Sequence, residues 1–240
     1  MRSDGRAAGS LRKVNIKTDY IKYPEGSCLF EIGQTKVICT ASIEDGVPRF
    51  LKGNGSGWVT SEYGMLPRSC ATRVSRESTR GRTGGRTHEI QRLIGRVMRG
   101  VVDLDALGER TIWMDCDVIQ ADGGTRCASI TGSFVALCLA LDYMKKQKMI
   151  DRIPVKNFVA AVSAGIIDGK DYLDLNYEED SRAEVDMNIV ITDSARLVEV
   201  QGTAEREPFS FAQMDKMMEL AKKGIKKLIE KQKEALKGVF

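Results

Sequence analysis

The stretch DCDVIQADGGTR, Asp115 to Arg126, sets the fold class. Its left half belongs to a strand-like run from Thr111 to Gln120, and Asp122-Gly123-Gly124 is a turn. Beyond the turn, Thr125 to Lys146 reads as an almost wholly apolar helix that must be buried on most sides. Strand, glycine turn and buried helix in direct succession predict an α/β chain.

Working towards the N-terminus, Ile90, Leu93, Ile94, Val97, Met98, Val101 and Val102 recur at helical spacing and form one apolar stripe, with Arg92, Arg96 and Arg99 on its flanks. Before it lie strand-like runs Val14 to Tyr20, Ser27 to Ile32 and Lys36 to Ser42, read as a meander. A long loop from Glu44 to Gly57 leads to a strand from Trp58 to Leu66. That glycine-rich loop is not a phosphate loop: it lacks the Gly-Lys-Ser/Thr ending, and Trp58 stands where a dinucleotide motif needs its third glycine. Towards the C-terminus, strands are expected over Phe158–Ile166, Tyr172–Asn176, Val185–Thr192 and Leu197–Gln201. A last helix opens at Ser210, with Gln213 at capping-box spacing. No Pro/Ser-rich linker separates the two sets of strands, so residues 1–240 are read as one domain.

Composition narrows the function. The chain has 240 residues, 42% hydrophobic and 29% charged, the profile of a folded globular chain. Its longest unbroken apolar run, Phe134 to Leu141, has eight residues, where a bilayer helix needs about 20. No apolar segment follows the charged start, so no secretory signal is read and the cytoplasm is the expected location. Six cysteines show no C-x-x-C pair and no zinc spacing, and they read as reduced, packed thiols.

Charge is segregated. Nine of nineteen arginines fall between Arg68 and Arg99 against two acids, a local balance of +7 where the rest of the chain is −3, and no lysine occurs between Lys52 and Lys145. Guanidinium in place of ammonium favours bidentate grips on phosphate or carboxylate. The lysine-rich last helix, with eight lysines and three glutamates between 216 and 237, is read as a solvated face.

The chain has a single histidine, His88, read as an ordinary exposed residue. Ser-His-Asp, Cys-His and multi-histidine metal sites are therefore excluded within one subunit. Phosphate chemistry, which runs on positioning and charge neutralisation, needs no such base. Two corners suit an anion, with an ordinary tight turn into a helix as the alternative reading. In Gly123-Gly124-Thr125-Arg126 the glycines allow close backbone approach, the helix start offers free amides, and Thr125 and Arg126 add a hydroxyl and a guanidinium. Gly84-Gly85-Arg86-Thr87 repeats that grammar. A third feature is acidic: Asp174, Glu178, Glu179, Asp180, Glu184 and Asp186 against Arg182 alone. Asp186 stands at the root of a strand, and such a carboxylate pair either binds Mg²⁺ or passes a proton, unless the cluster is a solvated loop.

The stretches Arg2 to Arg6, Pro24 to Ser27, Gly84 to Gln91, Asp115 to Arg126 and NYEEDSRAEVDMN at Asn176 to Asn188 resemble the bacterial ribonuclease PH family, and the likeness runs the length of the chain. The resemblance implies two βαβ-like halves with mixed sheets, packed helices and left-handed crossovers. It implies a phosphorolytic 3′-to-5′ exoribonuclease that trims tRNA precursors, releases nucleoside diphosphates with inorganic phosphate as co-substrate, and runs in reverse. Phosphate would be bound by Arg86, Gly124, Thr125 and Arg126, with Asp180 and Asp186 as catalytic, Mg²⁺-associated carboxylates. Arg68, Arg73 and Arg76 would serve the assembly of a homo-hexamer, a trimer of dimers, in competition with RNA contact. Two rival readings are a non-catalytic RNA-binding ring subunit of an exosome-like assembly and a hydrolytic nuclease.

Overall fold

The computed structural model describes residue 2 and residues 4–240, the Arg80 side chain excepted; Ser3, part of one matched stretch, lies outside them. Three antiparallel strands open the chain, β1 (Val14–Thr18), β2 (Gly26–Ile32) and β3 (Thr35–Asp45), in the order the meander predicts. Next come β4 (Trp58–Met65), α1 (Gly85–Val101) and β5 (Arg110–Gln120). β5 inserts between β3 and β4, antiparallel to the first and parallel to the second, giving a mixed sheet of order β1-β2-β3-β5-β4. Pairing with β5 carries β3 three residues beyond the expected Ser42, with Asp45 opposite Arg110.

The second half is α2 (Thr125–Lys146), β6 (Val159–Ile167), β7 (Lys170–Leu173), α3 (Tyr177–Asp180), β8 (Val185–Thr192), β9 (Leu197–Ala204) and α4 (Phe211–Ala235). Its sheet, β7-β6-β8-β9, pairs antiparallel throughout. β7 and β8 flank β6, so they run parallel without touching, and the connection through α3 crosses β6. The second half is thus βαβ-like with a strand interposed, where the first half has true parallel neighbours in β4 and β5.

β7 stops at Leu173 and not at the expected Asn176. Asp174 turns the chain with φ 54°, and Asn176 caps α3. The Asn176 side chain accepts from the Glu179 amide at 2.9 Å, and Glu179 Oε2 accepts from the Asn176 amide at 3.0 Å. The same reciprocal pattern at Ser210 and Gln213 opens α4 where the sequence places it.

α2 lies between the sheets, packed on β2 and β3 on one side and β6 on the other. Its most apolar 18-residue window has a mean hydropathy of 1.5 and is 89% buried. Length and composition would suit a bilayer, although no eight-residue apolar run is exceeded, because single Ser, Thr and Gly residues interrupt the pattern without adding charge. Two of those polar groups find partners inside the protein: Thr131 Oγ1 accepts from the Ala161 amide at 3.1 Å, and Cys116 and Ser133 meet at 2.9 Å, whereas the buried Ser129 hydroxyl has none among the described residues. One continuous apolar cluster joins residues of both sheets, α1, α2 and α4. All six cysteines are free thiols and five are buried.

Candidate active site

The corner between β5 and α2 is where the fold gathers its polar groups. Gly123 and Gly124 both take left-handed backbone, φ 74° and 66°, which glycine adopts without steric cost. Space imposes a second demand at Gly123: a Cβ there would stand 2.6–2.8 Å from backbone atoms of Leu175, Asn176 and Tyr177. The close approach brings the α3 segment of the second half against the first α2 turn.

The corner's carbonyls are all turned inward. Thr35 Oγ1 donates to Gly123 O at 2.7 Å and accepts from the Asp122 amide at 3.0 Å. The Arg12 guanidinium donates to Asp122 O and, at 3.4 Å, to Gly123 O. With carbonyls engaged on one side, the opening amides of α2 face the other, where the helix dipole favours an anion. Thr125 is buried and its hydroxyl lies 2.9 Å from the Tyr63 hydroxyl.

Arg12 was not legible as a site residue. It is 5% exposed and pairs with Asp174 through Nη2 to Oδ1 at 2.7 Å and Nε to Oδ2 at 3.1 Å. Burial alone would lower its pKa; the contacts with Asp174, then Asp122 and Glu179, outweigh that and raise it. Arg2, 7% exposed, grips Glu179 by two bonds of 2.7 Å and donates to the carbonyls of Leu173 and Asp174. Two of the six acids in the apparent cluster, Asp174 and Glu179, are therefore neutralised by arginines from the first twelve residues. Those arginines carry no periodicity, and their partners lie some 160 residues away, which hid them from a reading of the sequence.

Asp180 and Asp186 make no ion pair among the described residues. Asp180, at the C-terminal end of α3, has an open edge, yet the surrounding protein desolvates its carboxyl and raises its pKa. Arg86, Arg126 and Arg12 pull it back, and Glu205 adds to the rise. Asp186, on β8, is raised by burial first, then by Asp180 and Glu205, with Arg126 opposing. Arg86 and Arg126 are thus both near enough to Asp180 to act on its charge, and Asp180 and Arg126 near enough to act on that of Asp186. Tyr63 lies within reach of both arginines too; burial raises its pKa, while the Thr125 contact, Arg86 and Arg126 moderate the rise.

The two arginines are held differently. Arg126 donates through Nη1 to Gln201 Oε1 at 2.7 Å and to Glu89 Oε1 at 3.3 Å. Arg86, exposed in the first turn of α1, has no protein partner among the described residues. Nor are the two glycine corners alike. Gly84 has φ −72°, Gly85 is helical, and a Cβ on Gly85 would meet open space. The Gly84 corner thus positions Arg86 by starting a helix, without the left-handed turn that Gly123 and Gly124 require.

The arginine run does not act as a unit. Arg96 makes a bidentate pair with Glu199. Arg99 lies 4.2 Å over the Trp58 ring and donates to Val59 O at 2.7 Å. Both are committed to packing α1. Arg68, Arg73 and Arg76 are exposed in the connection between β4 and α1. Arg76 is near enough to Asp117 to oppose the burial that raises that carboxyl, and Asp117 alternates with inward Cys116 and Val118, so it points away from α2. These three arginines are not part of the corner. His88 is exposed beside Gln91 at 3.2 Å.

A divalent cation suits what remains. Asp180 and Asp186 offer hard oxygen donors, lack cationic partners of their own and repel each other. No group of three or more His, Cys, Asp or Glu side chains able to hold a metal occurs among the described residues. An ion would therefore take its other ligands from water and substrate phosphate, the usual Mg²⁺ arrangement of one or two carboxylates with waters and phosphates.

Known proteins are similar to this chain in sequence and in fold. The family model described as 3′ exoribonuclease family, domain 1 matches residues 10–141, and that described as domain 2 matches residues 157–224. Ribonuclease PH of Bacillus mycoides (strain KBAB4) is 56% identical over 237 residues, 98% of this chain and 97% of the relative. That of Bacillus cereus (strain G9842) is 56% identical over the same span. Among solved structures, Rrp46 of rice (Oryza sativa) superposes with a TM-score of 0.79 at 16% identity, covering 98% of this chain and all of the other. A chain of the Archaeoglobus fulgidus exosome with RNA bound to the active site does so with a TM-score of 0.79 at 22% identity, covering 96% and 92%. The two solved structures agree in fold, and the family models together with the Bacillus relatives, 56% identical over 98% of this chain, show that the chain belongs to the 3′ exoribonuclease family, alongside bacterial ribonuclease PH.

Proposed function

We propose that this chain is a phosphate-dependent 3′-to-5′ exoribonuclease that removes 3′-terminal nucleotides of tRNA precursors as nucleoside diphosphates and can run in reverse. The observation that supports the reading is that Arg86 and Arg126 both lie near enough to the unpaired Asp180 to act on its charge, with Asp186 beside it. An attacking phosphate and a phosphodiester are both anions, and their repulsion is the first obstacle to reaction; two guanidiniums and the α2 amides offset it. A phosphate oxygen attacks the phosphorus of the terminal linkage, that phosphorus–O3′ bond breaks, and the penultimate nucleotide keeps the 3′-oxygen.

Asp180 is suited to hand a proton to that oxygen, since burial holds its pKa above the ordinary carboxylate value. In the alternative role, with both carboxyls ionised, Asp180 and Asp186 together would hold Mg²⁺, which when bound supplies charge neutralisation at the phosphate oxygens. With Tyr63 as the donor in their 2.9 Å contact, the Thr125 hydroxyl would be free to donate to phosphate. RNA would arrive by its backbone, so its binding should weaken steeply with salt. We assign exposed Arg68, Arg73 and Arg76 to contacts between copies in a homo-hexamer; the solved neighbours are named as exosome components.

The rival reading, a ring subunit without chemistry, is disfavoured by the retention of both arginines and both unpaired acids at one corner. Incubation with RNA, Mg²⁺ and graded phosphate separates the readings: diphosphate products support phosphorolysis, monophosphates without phosphate dependence support hydrolysis, and no products support the scaffold. Arg126→Ala should lose phosphate-dependent shortening while melting near the parent temperature. Normal digestion by that variant would remove Arg126 from the mechanism.

A further inference from the structure

We propose that Glu89 on α1 and Gln201 on β9 form a clamp that orients the Arg126 guanidinium, which makes both of them positioning residues for the phosphate co-substrate. The inference rests on the phosphate-site reading above and extends it to residues outside the two corners.

Three hydrogen bonds close a triangle. Arg126 Nη1 donates to Gln201 Oε1 at 2.7 Å and to Glu89 Oε1 at 3.3 Å, and Gln201 Nε2 donates to the same Glu89 oxygen at 2.9 Å. Position 201 therefore needs a side chain that accepts from a guanidinium and donates to a carboxylate at once, which an amide does and a carboxylate or an apolar group does not. The clamp uses only Nη1. Nε and Nη2 donate to nothing among the described residues and stay open for a bidentate grip on an oxyanion.

The clamp lies on a seam between the two halves. α1 belongs to the first half, and β9 is the edge strand of the second sheet, paired only with β8. A second staple crosses the same seam: Arg96 donates to both Glu199 oxygens, Nε at 3.1 Å and Nη2 at 2.9 Å. Residues 89 and 96 are two turns apart on one helix face, about 10.5 Å along the axis. Residues 199 and 201 are neighbours on one strand face, about 7 Å apart. The Arg96 pair holds β9 alongside α1 in the register that lets Gln201 reach Glu89. Arg126 itself is on α2, so its guanidinium is fixed by two elements other than its own. A long, flexible side chain set in place before the ligand arrives loses less rotamer freedom on binding.

Steady-state phosphorolysis by the full chain tests this, with phosphate varied at saturating RNA and RNA varied at saturating phosphate. Gln201→Leu should raise the phosphate KM about tenfold, the scale expected for a misplaced binding group, and leave the RNA KM unchanged. Glu89→Leu should do the same. Glu89→Gln keeps an oxygen that accepts both bonds, so its phosphate KM should stay at or below the parent value; this rescue separates positioning from general packing. Melting temperatures check that each variant folds, and should Gln201→Leu fail to fold, the Glu89 pair carries the test alone. A parental phosphate KM in Glu89→Leu, or equal losses in Glu89→Leu and Glu89→Gln, overturns the clamp. Arg126→Ala with a parental phosphate KM would instead overturn the phosphate-site reading itself.

Discussion

Glu179 and Asp180 are consecutive residues with opposite fates. Glu179 is 3% exposed, gripped by Arg2 and bonded to the Asn176 amide. Burial alone would raise its pKa, but those bonds and the Arg2 and Arg6 charges bring it below its ordinary value. Asp180, one residue on and about 100° around the helical turn, has no pair, and its pKa is raised. The contrast extends to Asp174, locked to Arg12, and Asp186, raised by burial and by Asp180. One acidic segment thus supplies two devices: inner carboxylates that fasten the N-terminal arginines to the second half, and outer ones left unpaired beside Arg86 and Arg126. An unpaired acid is a cost to folding, and its persistence next to two arginines points to a ligand.

The widest separation should come from Asp180→Asn. Loss of a general acid typically costs about 10² to 10⁴ in rate, and here kcat for phosphorolysis should fall on that scale without a drop in melting temperature. A variant that keeps its activity would erase the distinction between the two sets. Asp174→Ala should behave in the reverse way. It strands the buried Arg12 guanidinium, and breaking one side of a buried pair costs about 3–5 kcal/mol. Since Arg12 also holds the Asp122 and Gly123 carbonyls, denaturant unfolding should show a marked fall in midpoint. An unchanged midpoint would mean that the inner pair does not carry the junction.

The asymmetry between these acids was only partly open to a reading of the sequence. The strands, the α1 stripe, the α2 start at Thr125 and the α4 cap at Ser210 follow from local pattern and were legible to within a few residues. The two glycine corners were legible as helix starts that carry an arginine in the first turn, because glycine, arginine and helix start are adjacent in the chain. What separates Glu179 from Asp180 is not local: it is the return of Arg2 and Arg12 from the far end of the chain. Asn176 with Glu179 three residues on is a capping box written in the sequence, and it could have marked Glu179 as structural and ended β7 early. Gln201 offered no such signal, as its partners come from α1 and α2. Arg96 and Arg99 looked like the other arginines of the run, and only the positions of Glu199 and Trp58 assign them to packing.

The smallest effect is also the most discriminating, because the two sets should respond to pH with opposite sign. Folding raises the Asp186 pKa, so the folded chain prefers this carboxyl protonated. Its charge costs nothing below the ordinary value of 3.8, the penalty grows as pH rises through that value, and it is complete above the raised one. Asp186→Asn removes the penalty and should melt slightly higher than the parent at neutral pH, by roughly 1 kcal/mol or less, up to about 4 °C at this chain length, with the gain fading as pH falls. Glu179 is lowered by folding, so its contribution is complete above 4.5 and is lost as pH falls through the lowered value. Glu179→Gln should melt below the parent at neutral pH and converge on it in acid. Thermal melts between about pH 3 and 8, the window set by the ordinary carboxylate values and neutrality, should therefore show the two variants approaching the parent from opposite sides. If both lie below it at neutral pH, Asp186 has a partner that holds its charge, and the outer carboxylates are structural after all.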